Sequence, residues 1–195
     1  MDGFERRRQE KKEAILSTAL DLFKQYGFNK VSIADIASKA SVSQVSIYNF
    51  FKSKENLKNE LLNKLWENYY QSMISIMQSS ETIQKKIERF FYTSADYSKN
   101  YTTDFLAESI RNKIVNEEIS SEIQLNSIED AISSLLEQGQ REGVIKSTFS
   151  IKAMLSFIEM FRYNIINNRE VAINYDRNPE LLKEMIALYL NALFT

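Results

Sequence analysis

The stretch from Ser32 to Leu57, SIADIASKASVSQVSIYNFFKSKENL, holds the side chains best suited to reading another molecule. Ser43, Gln44, Ser46, Tyr48 and Asn49 follow one another closely, and all are uncharged hydrogen-bonding groups. Short donors and acceptors on an exposed helix face are what contact with DNA base edges and phosphates requires. Gln44 can make a paired contact to adenine, while Ser43 and Ser46 suit either base or phosphate. Competing chemistry is thin. The chain has no histidine and no cysteine, which removes the commonest metal ligand, the usual general base and any thiolate site. An enzyme would have to rely on carboxylates, Lys or Tyr, and no paired-carboxylate or Glu-x-x-His spacing is present. We therefore expect no catalytic residues, no metal and no cofactor.

These side chains need short helices to hold them. Ser32 is an N-cap residue, and Asp35 three positions later completes a capping box. Ile33, Ile36, Ala37 and Ala40 mark one apolar face over about two turns. Ser41-Val42-Ser43 breaks the pattern, with Val42 plugging the corner and Ser43 capping a second helix. Val45, Ile47 and Phe51 are expected to form its buried side. Two such helices at a steep angle form the helix-turn-helix of DNA-binding proteins, and a surface hairpin in an ordinary bundle is the alternative. Upstream, Ile15, Ala19, Leu22, Phe23 and Tyr26 form an apolar stripe ended by Gly27. Arg6, Arg7, Arg8, Lys11 and Lys12 precede it, as a solvated and frayed helix start or as contacts to phosphate and minor groove. Arg6 to Arg8 fit the second role better. Downstream, Ser53 caps a further helix. Lys54 in its first turn opposes the helix dipole, a placement that a phosphate bound there would explain. That helix continues through Leu61, Leu62, Leu65, Trp66, Tyr69, Met73 and Met77 without Gly or Pro, as a rigid rod.

The run I-A-x-x-A-x-V-S-x-x-x-I-Y-x-x-F-x-x-K-x-x-L, from Ile36 to Leu57, resembles the signature of the tetracycline-repressor (TetR) family. It is filled here by Ile36, Ala37, Ala40, Val42, Ser43, Ile47, Tyr48, Phe51, Lys54 and Leu57. Tyr26-Gly27-Phe28 and Val31-Ser32 extend the resemblance upstream, so that it covers about the first third of the chain. Many members carry Gly or Ala where Val45 stands, and Tyr48 resembles the family's phosphate-contacting tyrosine. The resemblance implies a DNA-binding regulator, most simply a repressor released by a small ligand. The candidate DNA-contact set is Ser32, Ser43, Gln44, Ser46, Tyr48, Asn49 and Lys54, with Arg6, Arg7 and Arg8. Control by a protein partner, control by no effector, and activation instead of repression all remain open.

The rest of the chain reads as helices. Four glycines and one proline in 195 residues suit long uninterrupted helices. We expect an all-α fold of about nine helices, with a DNA-binding domain over residues 1–53 and an effector-binding and dimerisation domain over 54–195. Helices are expected over Thr82–Tyr97, Thr103–Asn116, Ser120–Glu142, Ser150–Asn168 and Pro179–Phe194, with Arg169–Arg177 as a loop. The Ser150–Asn168 and Pro179–Phe194 helices carry apolar residues on more than one side. The resemblance implies that they pair with a second copy, as a two-fold dimer reading a palindrome. Tyr69, Phe90, Phe91, Tyr97, Phe105, Phe157 and Phe161, with Glu108 as a polar anchor, could line a small, largely apolar ligand site. Arg111, Glu159 and Arg162 are further charges beside apolar faces. The formal net charge of −1 divides unevenly: residues 1–60 hold 11 Lys/Arg and 8 Asp/Glu, hence +3, leaving −4 for the remainder. The positive end carries the DNA-reading stretch. No run is apolar enough to span a membrane, and MDGFERRRQEKK lacks a signal peptide's apolar core. The expected compartment is the cytoplasm.

Overall fold

The computed structural model describes residues 2–99 and 120–195, and among these it is all-α, with nine α-helices and one isolated β-bridge. The contacts form two compact units, Met1–Trp66 and Glu67–Thr195.

The first unit is a three-helix head plus the start of a fourth helix. Helix α1 runs from Gly3 to Tyr26. The Asp2 carboxylate accepts hydrogen bonds from the backbone N–H groups of Phe4 and Glu5 at 2.9 and 2.8 Å. The expected frayed start is therefore a capped helix, and Arg6, Arg7 and Arg8 lie on regular turns. Ile15, Leu16, Ala19, Leu22 and Phe23 are buried. Tyr26, expected in that stripe, is 51% exposed, because the helix ends there and Gly27 turns the chain away with φ +81°. A single 3₁₀ turn, Phe28–Lys30, leads to α2 (Ile33–Lys39) and α3 (Gln44–Phe51).

Helix α2 has only seven residues, too few to be stable alone, so its ends and its buried Ile33, Ile36 and Ala37 decide its fate. Its N-terminus carries a full capping box: Ser32 Oγ accepts from Asp35 N, and Ser32 N donates to Asp35 Oδ2 at 2.8 Å. Between the helices Ser41 takes φ +55°, and Val42 N bonds Ala37 O at 3.0 Å. That left-handed residue makes the sharp corner. Helix α4, Lys54–Gln78, follows. Leu57, Lys58, Leu61 and Leu62 near its start are buried and belong to the first unit.

The second unit is arranged around α5 (Ile83–Lys99), which packs on α6 (Ser120–Arg141), α7 (Ile151–Asn167), α8 (Arg169–Arg177) and α9 (Pro179–Leu193). Phe91 is its centre: the ring meets Phe161 and Tyr189 edge-on at 5.0 and 5.1 Å. Such contacts contribute about 0.5–1.5 kcal/mol each beyond area burial. The segment expected to be a loop is helix α8. Asn168 Oδ1 caps it by accepting from Glu170 N and Val171 N, and half-buried Val171 and Tyr175 turn inward. Two inward positions four residues apart are too few to stand out as a period. The following helix, α9, starts with Asn178 as cap and Pro179 in its first turn, where a missing N–H costs nothing. The extended link before α7 pairs Ile145 with Phe194, and Lys146 Nζ donates to the carbonyls of Asn191 and Ala192 at 3.0 and 3.1 Å. A cation on the last carbonyls of α9 also complements its dipole.

The expected helix Thr103–Asn116, and with it Phe105, Glu108 and Arg111, lies outside the described residues.

Candidate nucleic-acid interface

The outward face of α3 follows from what its other face buries. Ile47 and Phe51, four residues apart, are 1% and 3% exposed, which points them into the head. Gln44, Val45, Tyr48 and Asn49 are exposed. Val45 is therefore not part of the buried side that its apolar character suggested; it is 67% exposed. Two residues before Ile47 is a rotation of about 200° around a helix, so the two cannot share a face.

The entry to α3 is a chain of hydroxyls ending in a cation. Ser43 Oγ accepts from Ser46 N at 3.1 Å and lies 2.9 Å from Ser46 Oγ. Lys11 Nζ on α1 donates to Ser46 Oγ at 3.1 Å. Lys11 thus stands at the rim of the α3 face, beside the amides of the helix N-terminus. Sequence reading placed it in a generic basic run. Its contact spans 35 positions of chain, and no local pattern encodes that.

The remaining basic residues divide into packed and free. Arg8 lies over the Phe50 ring at 5.5 Å and 3.5 Å from Glu5. Arg6 pairs with Glu10 at 3.6 Å. Arg7 is exposed and makes no ion pair among the described residues. Lys12 bridges to Glu60 on α4 at 2.6 Å and stands 5.8 Å from the Phe51 ring centre.

Lys54 is turned inward. Its Nζ donates to Phe28 O at 2.7 Å and sits 4.1 Å from the Phe28 ring centre. Lys58 stands over the same ring at 4.2 Å, only 1% exposed, and pairs with Glu55. Phe28 is thus held by two ammonium groups, and together they fix the first turns of α4 to the 3₁₀ turn after α1. The phosphate expected to explain Lys54 is not needed for that: a backbone carbonyl and an aromatic face already meet its charge. Ser32 is likewise engaged, since its hydroxyl donates to Asp35 Oδ2 at 2.6 Å while accepting from Asp35 N. These bonds hold the Asp35 carboxyl below its ordinary value of 3.8.

In the second unit the described members of the expected ligand-site set divide between a packed aromatic core and an open cleft. Phe90, Phe91, Tyr69 and Phe161 are buried among one another and their neighbours. Tyr69 shares a hydrogen bond of 3.1 Å with Ser94 and meets the Tyr97 ring edge-on at 4.9 Å. Burial pushes the Tyr97 hydroxyl up. Phe157 borders a cleft of about 360 Å³ between α7 and α9, with Ala153, Met154, Leu188, Tyr189 and Ala192 among its walls. Met160 and Tyr163 on α7 are also exposed. Glu159 is exposed, and the Arg162 side chain lies outside what is described. Among the described residues no three His, Cys, Asp or Glu gather as a metal site, and no helix is long and apolar enough to cross a membrane.

A capped helix-turn-helix with a polar outward face, joined to an all-helical second unit, defines a DNA-binding transcriptional regulator rather than an enzyme. Residues 15–61 match the family described as bacterial regulatory proteins, tetR family. The chain is 26% identical over 183 residues to the HTH-type transcriptional regulator YhgD of Bacillus subtilis, covering 91% of each chain. It is 24% identical over 149 residues to the HTH-type transcriptional repressor KstR2 of Rhodococcus jostii, covering 74% of this chain and 72% of that one. Among solved structures, the ketosteroid transcriptional regulator KstR2 of Mycobacterium tuberculosis shares the fold, with a TM-score of 0.68 over 97% of this chain and 95% of that chain at 18% identity.

Proposed function

We propose that the chain is a homodimeric repressor that holds a palindromic operator through α3 and releases it when a small, largely apolar effector binds the second unit. The observation that carries this reading is the α3 face, where Gln44, Tyr48 and Asn49 are turned outward by the burial of Ile47 and Phe51. Regulators of this family bind DNA operators and small-molecule effectors and form dimers, and a relative of similar length is named a repressor.

In this reading Gln44 and Asn49 reach base edges in the major groove. Ser43, Ser46, Tyr48 and Lys11 hold phosphates at the entry of α3, with Arg7 a further phosphate contact from α1. Ser32 and Lys54 act through the fold, by capping α2 and fixing α4. The DNA-binding domain then comprises residues 1–53 together with the first turns of α4.

Dimerisation is assigned to the outer stripes of α7 and α9, where Phe157 and Leu188 stand exposed at an apolar cleft and Met160 and Tyr163 are exposed on α7. A contiguous apolar patch is the usual mark of a covered surface, and a two-fold pairing would bury it twice. The effector is assigned to the second unit beside its aromatic core, where Tyr97 and the Tyr69–Ser94 pair supply polar groups next to apolar rings. An effector that lowers operator affinity 100-fold needs about 2.7 kcal/mol of coupling, and it must bind the released state more tightly by that amount.

The test is selection of bound sequences from a random duplex pool, followed by salt titration of the winner. The expected result is an enriched palindrome whose affinity falls steeply with salt. Absence of enrichment even at low salt overturns the reading.

A further inference from the structure

Val45 is the one apolar side chain at the centre of the outward α3 face. Its exposure of 67% is among the largest of the hydrophobic residues in the first unit, while Ile47 two positions on is 1% exposed. Gln44 adjoins it in sequence, and Tyr48 and Asn49 follow three and four positions later, so the polar groups frame it on the helix surface. A branched apolar group there gains nothing from solvent and leaves most of its surface outside the packing of the head.

We propose that Val45 reads a thymine: its methyl groups seat on the C5-methyl of one T in each operator half-site. This rests on the reading above that α3 enters the major groove. Valine can neither donate nor accept a hydrogen bond, so most of the groove offers it only desolvation without return. The exception is the thymine methyl, which projects into the major groove and distinguishes T·A from the other pairs by apolar contact. The residue stands in the first turn of α3, the end of a recognition helix that contacts base edges. Its χ1 is nearly fixed in a helix, so the methyl pair is oriented before binding and little side-chain freedom is lost. Gln44 and Val45 together then specify an A·T-rich step: adenine through the amide, and a nearby thymine through the methyls.

The test uses the full chain and the operator recovered by selection. Each thymine is replaced in turn by uracil, symmetrically in both half-sites, which deletes only the C5-methyl. Affinities are measured for the wild type, Val45→Ala and Gln44→Ala by fluorescence anisotropy. For the wild type we expect one position at which uracil weakens binding by about fourfold per half-site, the worth of one buried methyl group. Val45→Ala should lose a similar factor on the thymine operator and become indifferent to uracil at that position. Gln44→Ala should bind more weakly yet keep the uracil penalty. The cycle separates the contact from any effect of uracil on the DNA itself. An operator that enriches but shows no uracil penalty, or one whose penalty persists unchanged in Val45→Ala, overturns the assignment while leaving DNA binding intact. Failure to enrich any sequence overturns both.

Discussion

Leu188 gives a sharp test of how the second unit is completed. It lies on α9 at the wall of the apolar cleft and is 66% exposed in the single chain. If the chain acts alone, replacing an exposed leucine should change stability by no more than about 0.5 kcal/mol. If the face is covered by a second copy, the area still exposed is what association removes from water. Burying a whole leucine side chain contributes about 1.5–3 kcal/mol, so two-thirds of one is about 1–2 kcal/mol. A two-fold interface counts it twice, giving about 2–4 kcal/mol for Leu188→Ala, or about 30- to 700-fold in the dimer dissociation constant. Leu188→Glu adds the cost of desolvating two carboxylates and should leave only monomer at micromolar concentration. Sedimentation equilibrium over a wide concentration range reads both variants, and circular dichroism checks that the fold is kept. Operator affinity should fall in parallel, since one α3 reads few base pairs. A wild type that remains monomeric at high concentration, or a Leu188→Glu variant that associates as well as the parent, refutes the reasoning.

Lys11→Ala should weaken binding to operator and random DNA alike and lower the salt slope by about one per half-site; a slope that does not move removes Lys11 from the phosphate contacts. Ser32→Ala should lower head stability by about 1 kcal/mol through loss of the cap, read as an earlier thermal transition at pH 7. For Asp35 the sign follows from its depressed carboxyl: the ionised group favours the fold above its ordinary 3.8, and that contribution is lost as the pH falls through the lower native value. The stability gap between the wild type and Asp35→Ala should therefore be full at neutral pH and close on acidification below about 4. Lys54→Ala leaves the half-buried Phe28 carbonyl without its donor and should destabilise the head by about 1–3 kcal/mol. If it instead keeps the melting temperature and lowers the salt slope, Lys54 binds phosphate after all.

What could be read from the sequence was what short range decides. The capping box at Ser32 and Asp35 and the corner at Ser41 are local chemistry, and they stand in the fold where residue type put them. The faces of α3 were harder, because in eight residues the period of 3.6 is sampled barely twice. Val45, Ile47 and Phe51 look alike as apolar letters, and only the angle between 45 and 47 separates the reader from the core. Lys54 and Lys11 exchanged expectations for a related reason. A lysine in the first turn of a helix seems to ask for an anion, yet Phe28, twenty-six positions earlier, already meets that charge. Lys11 looked like one member of a solvated basic run, yet it reaches Ser46 at the entry of α3. The fate of a long cation depends on which carbonyl, ring or hydroxyl the fold brings within its reach, and such partners are distant in sequence. The aromatic set shows the same limit at larger scale. Helical spacing predicted that Phe90, Phe91 and Phe161 turn inward, but whether their rings meet or leave a space between them depends on crossing geometry. They meet around Phe91, and an open apolar cleft lies between α7 and α9. A second copy is the occupant proposed for it, so the strongest test of the site lies in association before it lies in ligand binding.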